Sequence, residues 1–197
     1  MPARNKGNID FTLLITVLIL LAIGITMVFS ASAASSYLKY NDSYLYLKSQ
    51  GLYAIISLIA MTILSKIDYR VWGRYALLFV IVSFILLIAI FVPGLGYGAK
   101  GAMRWIKVGP LTFQPSEFAK TALIIFMARS LSNKKEKVRQ FFQGVVPYII
   151  LMVIYFGLII IQPNLSMAGS IVIITFVMLF AAGAKIWHLL GWVIPFV

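Results

Sequence analysis

The chain has 197 residues, 62% of them hydrophobic and 11% charged, with a mean hydropathy of +0.99. Soluble domains carry about 45–50% apolar and about 25% charged residues, so an ordinary soluble enzyme, a disordered tail and a disulfide-stapled secreted module are excluded. The 17 Lys and Arg outnumber five acids, for a formal charge of +12, and they flank apolar runs, which points to a membrane and not a nucleic acid as the partner.

A spanning helix needs about 20 apolar residues. The first run, Phe11 to Ala31, holds no charge. It is too long for a signal-peptide core, and further runs follow it. A second covers Leu47 to Leu64, with Lys48 and Gln50 at its outer edge. The third covers Tyr75 to Val92, the fourth Pro115 to Leu131, the fifth Val145 to Ile161 and the sixth Leu165 to Ala182. A seventh begins near Trp187 and breaks off at Val197, as expected of an incomplete protein. The pattern predicts an all-α fold: a polytopic membrane helix bundle of six full spans plus a truncated seventh, forming one transmembrane domain over 1–197.

Alternate loops fall on opposite sides of the bilayer. One side holds Arg4, Lys6, Lys66, Arg70, Arg74, Arg129, Lys134, Lys135, Lys137, Arg139 and Lys185; the other holds Lys39, Lys48, Lys100, Arg104 and Lys107. The positive-inside bias places the N-terminus in the cytoplasm and Gly94 to Gln114 outside. Asn133 to Arg139 then reads as a cytoplasmic anchor on anionic lipid. Asp68, with Lys66 and Arg70, reads as a solvated cytoplasmic turn, and His188, near Trp187 and Trp192, as interfacial.

The outer stretch Gly94 to Gln114 is glycine-rich and basic, and reads as a flexible loop. Lys100, Arg104 and Lys107 surround Trp105, which reads either as a bilayer anchor or as part of a binding patch. Arg is the natural fork for phosphate, and accessible backbone N–H groups suit an anion, so the patch fits a lipid-linked pyrophosphate better than a free sugar. The fourth run opens on Gln114-Pro-Ser-Glu-Phe-Ala-Lys120, with Pro115 suited to a first helical turn and Gln114 or Thr112 placed to cap it.

Glu117 and Lys120 are three apart, so they share a helix face. At membrane depth each is costly, by about 2.5–3.5 kcal/mol on insertion scales. They form either a neutralising pair that packs the bundle or the wall of a polar cavity, with Lys120 holding an anion and Glu117 orienting it or handling a proton. Gln162-Pro-Asn-Leu-Ser166 repeats the Gln-Pro start 48 residues later, either as an internal repeat or as two unrelated helix starts. Asn164 and Ser166 are candidate caps of the sixth helix. Cysteine is absent and His188 is alone, so the sequence offers no metal site, although a divalent cation on Glu117 is conceivable.

Taken together, Ala102-Met-Arg-Trp-Ile106, Phe113-Gln-Pro-Ser-Glu-Phe-Ala-Lys120 and Gln162-Pro-Asn-Leu-Ser166 resemble the SEDS family of FtsW, RodA and SpoVE. Ser30-Ala-Ser-Ala33 leans towards the FtsW/SpoVE branch. The resemblance implies the N-terminal part of a protein with about ten spans of bilayer length, in the bacterial plasma membrane. It implies a peptidoglycan glycosyltransferase that polymerises lipid II beside a class B penicillin-binding protein, in division, sporulation or cell shape. It also implies that Arg104, Trp105, Gln114, Pro115, Ser116, Glu117 and Lys120 bind lipid II or support its cavity. Asn164 stands where the family often has Asp, and so lacks that charge. The family's proposed catalytic Asp lies in an outer loop after the seventh span, which these residues do not include. The alternatives are a lipid II flippase and a non-enzymatic scaffold that recruits the penicillin-binding protein.

Overall fold

The computed structural model describes residues 10–99, 102–109, 111–185 and 187. Lys100, His188 and nearly all of the seventh apolar run lie outside the described residues. The chain divides into two compact units, residues 1–67 and 68–197.

The first unit is a helical hairpin. Helix α1 spans Phe11–Tyr40, with the Asp10 carboxylate accepting from Leu13 N–H at 3.0 Å to cap its first turn. It runs nine residues past the expected Ala31. In this Ser-rich end the hydroxyls of Ser32 and Ser35 are satisfied within the helix, donating back to the carbonyls of Val28 (2.6 Å) and Ser32 (3.0 Å). Asn41 ends the helix in the left-handed region at φ 55°. Helix α2 follows over Leu45–Leu64.

Asp42 organises the turn between them. Its carboxylate accepts from Tyr44 N–H and from Lys48 Nζ, both at 2.8 Å, while its carbonyl accepts from the buried Ser36 hydroxyl at 2.6 Å. The Lys48 hydrogen bond, then the Tyr44 amide, holds the Asp42 carboxyl below the usual carboxylate range. Phe29 and Tyr44 stack across the turn at 5.5 Å.

The second unit starts with a short helix, α3 (Tyr69–Arg74). Asp68 caps it, accepting from Arg70 N–H at 2.8 Å, so the expected solvated turn is an ordered helix start. Helix α4 covers Ala76–Ala89, shorter than the expected third run chiefly at its end, where Phe91 and Val92 N–H turn back onto the Ile88 and Ala89 carbonyls. Next come β1 (Gly96–Ala99), β2 (Ala102–Val108) and β3 (Leu111–Phe113), and then α5 (Pro115–Lys134). A 3-10 turn (Lys135–Arg139) and a π turn (Phe141–Val145) lead into α6 (Val146–Ile161), and α7 covers Leu165–Ala181.

Among the described residues, three helical stretches are long and apolar enough to cross a membrane: Phe11–Tyr40, Leu45–Leu64 and Phe141–Ile161. Ala76–Ala89 and Leu165–Ala181 are apolar but shorter. The protein is a helical membrane protein. The all-α expectation needs one correction, because the outer stretch expected as a flexible loop folds into an antiparallel sheet of order β1-β2-β3.

The core of this unit gathers Leu87 of α4, Leu123 and Met127 of α5, Tyr148, Ile149, Tyr155 and Ile159 of α6, and Ile171 and Leu179 of α7. Apolar side chains gain little from leaving lipid for protein, so packing and interhelical hydrogen bonds hold such helices, at about 0.6 kcal/mol per bond on average. Ser83 and Tyr155 share a hydroxyl bond of 2.5 Å, and Phe84 stacks on Tyr155 at 4.5 Å. Along the α4–α5 flank, Trp72, Phe79, Phe118 and Phe113 form a ring-to-ring chain at 5.6, 6.1 and 6.3 Å. At the far end of α5, Lys134 donates to the Gln143 carbonyl at 2.5 Å and lies 4.7 Å from the Tyr148 ring centre. Burial pushes its ammonium below the usual lysine range.

Candidate functional site

Strand β2 alternates. Arg104 and Ile106 are half-buried, whereas Met103, Trp105 and Lys107 are exposed. The pairing explains how Arg104 is aimed. Tyr97 stands opposite Trp105 and Gly98 opposite Met103, so Arg104 faces no residue of β1 and forms a bulge. Its guanidinium turns toward the chain reversal between α6 and α7. There Nε donates to the Gln162 carbonyl at 3.4 Å, and the terminal nitrogen donates to the Pro163 carbonyl. The fork expected to bind phosphate is therefore committed in part to backbone carbonyls.

Trp105 and Lys107 sit on the other face with Tyr97, whose ring centre lies 5.8 Å from Lys107 Nζ. This outward face is aromatic and cationic, and Tyr97 is 56% exposed. Gly96 permits it, because a Cβ there would overlap the Ile90 carbonyl and come within 3.1 Å of Met103 Sδ.

The sheet hands over directly to α5. Gln114 is half-buried, and its carbonyl accepts from Glu117 N–H at 3.1 Å. Pro115, Ser116, Ala119, Leu123 and Met127 form the buried face of the helix. Glu117 and Lys120 pair at 2.7 Å, with side chains 53% and 28% exposed. They lie on the flank of α5 and not among its buried residues.

The two Gln-Pro starts meet. Asn164 Nδ2 donates to Ser116 Oγ at 3.5 Å, 48 residues away in the chain, and both side chains are buried. Asn164 occupies the N-cap position of α7 but makes no side-chain cap bond; its side chain reaches Ser116 instead. Ser166 is exposed; its carbonyl accepts from the Ser170 hydroxyl at 2.9 Å, and it does not cap the helix. Gln162 Nε2 donates to the Leu87 carbonyl at 3.1 Å, a partner with no side-chain signature in the sequence. Its Oε1 is buried and meets no donor among the described residues.

One end of this unit thus gathers Arg104, Gln162 and Pro163 in one cluster, Ser116 and Asn164 in a second, and the Glu117–Lys120 pair beside them. Trp105 and Lys107 face away from Arg104, and Lys100 lies outside the described residues. Tyr97 was missed, because four residues among glycines are too short a run for an alternation to register. Among the described residues no three His, Cys, Asp or Glu side chains come together. Glu117, already paired, would offer a cation one ligand. Cavities of about 410, 880 and 530 Å³ border the far half of α5, and none is lined by an expected site residue.

The family model described as cell cycle protein, covering FtsW, RodA and SpoVE, matches residues 11–197. A probable peptidoglycan glycosyltransferase FtsW of Geobacter sp. (strain M18) is 40% identical over 95% of this chain and 51% of its own length. Stage V sporulation protein E of Bacillus subtilis (strain 168) is 39% identical over 93% of this chain and 50% of its own. The chain spans about half the length of the curated relatives it matches.

A chain from a solved peptidoglycan synthase complex, described as coordinating polymerization and crosslinking, superposes with a TM-score of 0.73 at 27% identity, over 88% of this chain and 48% of that one. The rod shape determining protein RodA of Thermus thermophilus shares the fold, with a TM-score of 0.64 at 24% identity over 89% of this chain and 56% of that one. The 197 residues belong to the FtsW/RodA/SpoVE family of cell cycle proteins.

Proposed function

We propose that the whole protein is a peptidoglycan glycosyltransferase that polymerises lipid II, working beside a class B penicillin-binding protein in the bacterial plasma membrane. Relatives named peptidoglycan glycosyltransferase and a structural neighbour from a peptidoglycan synthase complex support this reading. In this proposal the chain crosses the bilayer six times before the seventh run. The N-terminus is cytoplasmic and the sheet lies outside.

The observation that carries the proposal is the build of one end of the 68–197 unit. A sheet, the start of α5 and the α6–α7 reversal are bonded to one another there, with Lys120 and Lys107 left able to meet an anion. Glycosyl transfer requires a base for the attacking hydroxyl and cations to offset the departing pyrophosphate. Lys120 serves the second need, with Glu117 orienting its ammonium. Trp105 and Tyr97 offer flat faces to the sugar or the lipid. Arg104, held by two carbonyls, positions the sheet. The base is assigned to the family's outer-loop Asp beyond these residues, because Glu117 is tied up by Lys120.

Lipid II polymerisation by the intact protein with its penicillin-binding partner tests the proposal. Trp105→Ala and Lys120→Ala should each lower the rate. Wild-type rates in both would remove this site from the mechanism. Lipid II that changes leaflet in proteoliposomes without forming polymer would establish the transporter instead.

A further inference from the structure

A groove of about 530 Å³ lies between α3 and the far half of α5, at the opposite end of the unit from the sheet. This is within the size of ligand clefts, about 300–1,000 Å³. Arg70 and Arg129 line it, together with Trp72, Ile124 and Ala128. Neither arginine makes a salt bridge among the described residues. Gly73 brings the two elements together, since the Arg129 Cδ lies 3.4 Å from where a Cβ on Gly73 would sit. The groove thus combines two permanent cations, one from each helix, with an isoleucine, an alanine and an indole.

From this we propose that the groove is a binding site for an anionic phospholipid of the leaflet facing this end of α5. The phosphate would sit between the Arg70 and Arg129 guanidiniums, with an acyl chain along Ile124 and Trp72. Guanidinium is the preferred partner for a phosphate because its planar fork donates two parallel hydrogen bonds. A free phosphate would leave the apolar residues unused, and a neutral lipid would offer no anion to Arg129, or to Arg70 beyond its neighbours Tyr69 and Asp68. Trp72 also begins the ring chain that reaches Phe113 beside the sheet, so a lipid seated here touches the same aromatic series that supports the outer end.

The test is native mass spectrometry of the intact protein, titrated in detergent with phosphatidylglycerol or phosphatidylcholine. The wild type should retain one phosphatidylglycerol in preference to phosphatidylcholine. Arg70→Gln with Arg129→Gln should weaken that retention about tenfold, the scale of losing charge-assisted bonds to a phosphate. Ala128→Phe keeps both charges and fills the apolar side, and should also release the lipid. Lys185→Gln removes an exposed charge that lines neither this groove nor the Asn133–Arg139 run and should leave retention unchanged. Circular dichroism and the melting temperature of each variant separate lost binding from lost fold, and Arg129→Lys supplies a milder second variant. Equal retention of the two lipids, equal loss in the Lys185 variant, or displacement of the lipid by inorganic phosphate alone would overturn the proposal.

Discussion

Gln162 donates its side-chain amide to the carbonyl of Leu87 at 3.1 Å, across 75 residues of chain. Leu87 lies in the last turn of α4, where carbonyls run out of donors within their own helix. Gln162→Met keeps the length and loses the donor, leaving that carbonyl unsatisfied at a cost of about 1–3 kcal/mol. Gln162→Glu should be worse, because it adds charge at a position that is 1% exposed. Thermal melts of the purified protein check both, and an unshifted Gln162→Met midpoint would mean that the Leu87 carbonyl has another donor.

Lys120 and Glu117 should separate by readout. Losing one charge-assisted contact to a leaving phosphate costs about 1.5–3 kcal/mol, or about 10–100-fold in rate. Lys120→Ala is expected in that range for lipid II polymerisation. Glu117→Gln keeps the cation and releases it from its partner, so its loss should be smaller. A Glu117→Gln loss equal to that of Lys120→Ala would give the carboxylate a role of its own.

Arg104 acts through its hold on the α6–α7 reversal. Arg104→Lys keeps the charge but cannot fork between two carbonyls. If positioning is the role, Arg104→Lys should fall nearly as far in kcat as Arg104→Ala, with the same loss of amide protection in β2 by hydrogen exchange. Full activity in Arg104→Lys would mean that charge alone suffices.

Acid should loosen the α1–α2 turn. The Asp42 carboxyl is lowered on folding, first by Lys48 and then by the Tyr44 amide. A lowered carboxyl stabilises the fold above its unfolded value of about 4, and that contribution is lost as pH falls through the lower folded value. Melting temperatures should therefore drop below about pH 4 by more in the wild type than in Asp42→Asn. Parallel curves would show that the turn does not depend on this charge.

Gly144 sits in the π turn before α6, where a Cβ would overlap the carbonyls of Val138 and Lys137. Gly144→Ala should destabilise by about 1–3 kcal/mol, the usual range for forced overpacking. Gly157, with open space around its α-carbon, is the control. Its alanine variant should be neutral or slightly stabilising in the same melt.

Hydropathy located α2, α6 and α7 to within a few residues, because long apolar runs admit few alternatives, and α5, whose run is interrupted by Glu117, Lys120 and Arg129, is marked by its Pro115 start. Two local features escaped it. Helix α3 is only six residues long and rests on the Asp68 cap, a signal that a charged turn gives equally well. The sheet is hidden because Met103 to Lys107 alternates for only five residues among glycines, and hydrogen bonding to β1 and β3 decides its fate. At the site, the residue types were legible and their partners were not. Arg104 reads as a phosphate fork, yet its guanidinium lies on backbone carbonyls, and Asn164 reads as a cap, yet its side chain reaches Ser116. Each bond depends on a residue 48 or more positions away, beyond any local pattern.

The Ser116–Asn164 bond joins the beginnings of two long helices, so α5 and α7 set out side by side from the same level. The peptide groups of each helix sum to about half a positive elementary charge at its start. Two such starts reinforce each other, and unlike a lysine they carry no proton to lose. This end of the protein therefore carries a positive potential, confined to the first turns, that does not depend on the protonation of Lys120.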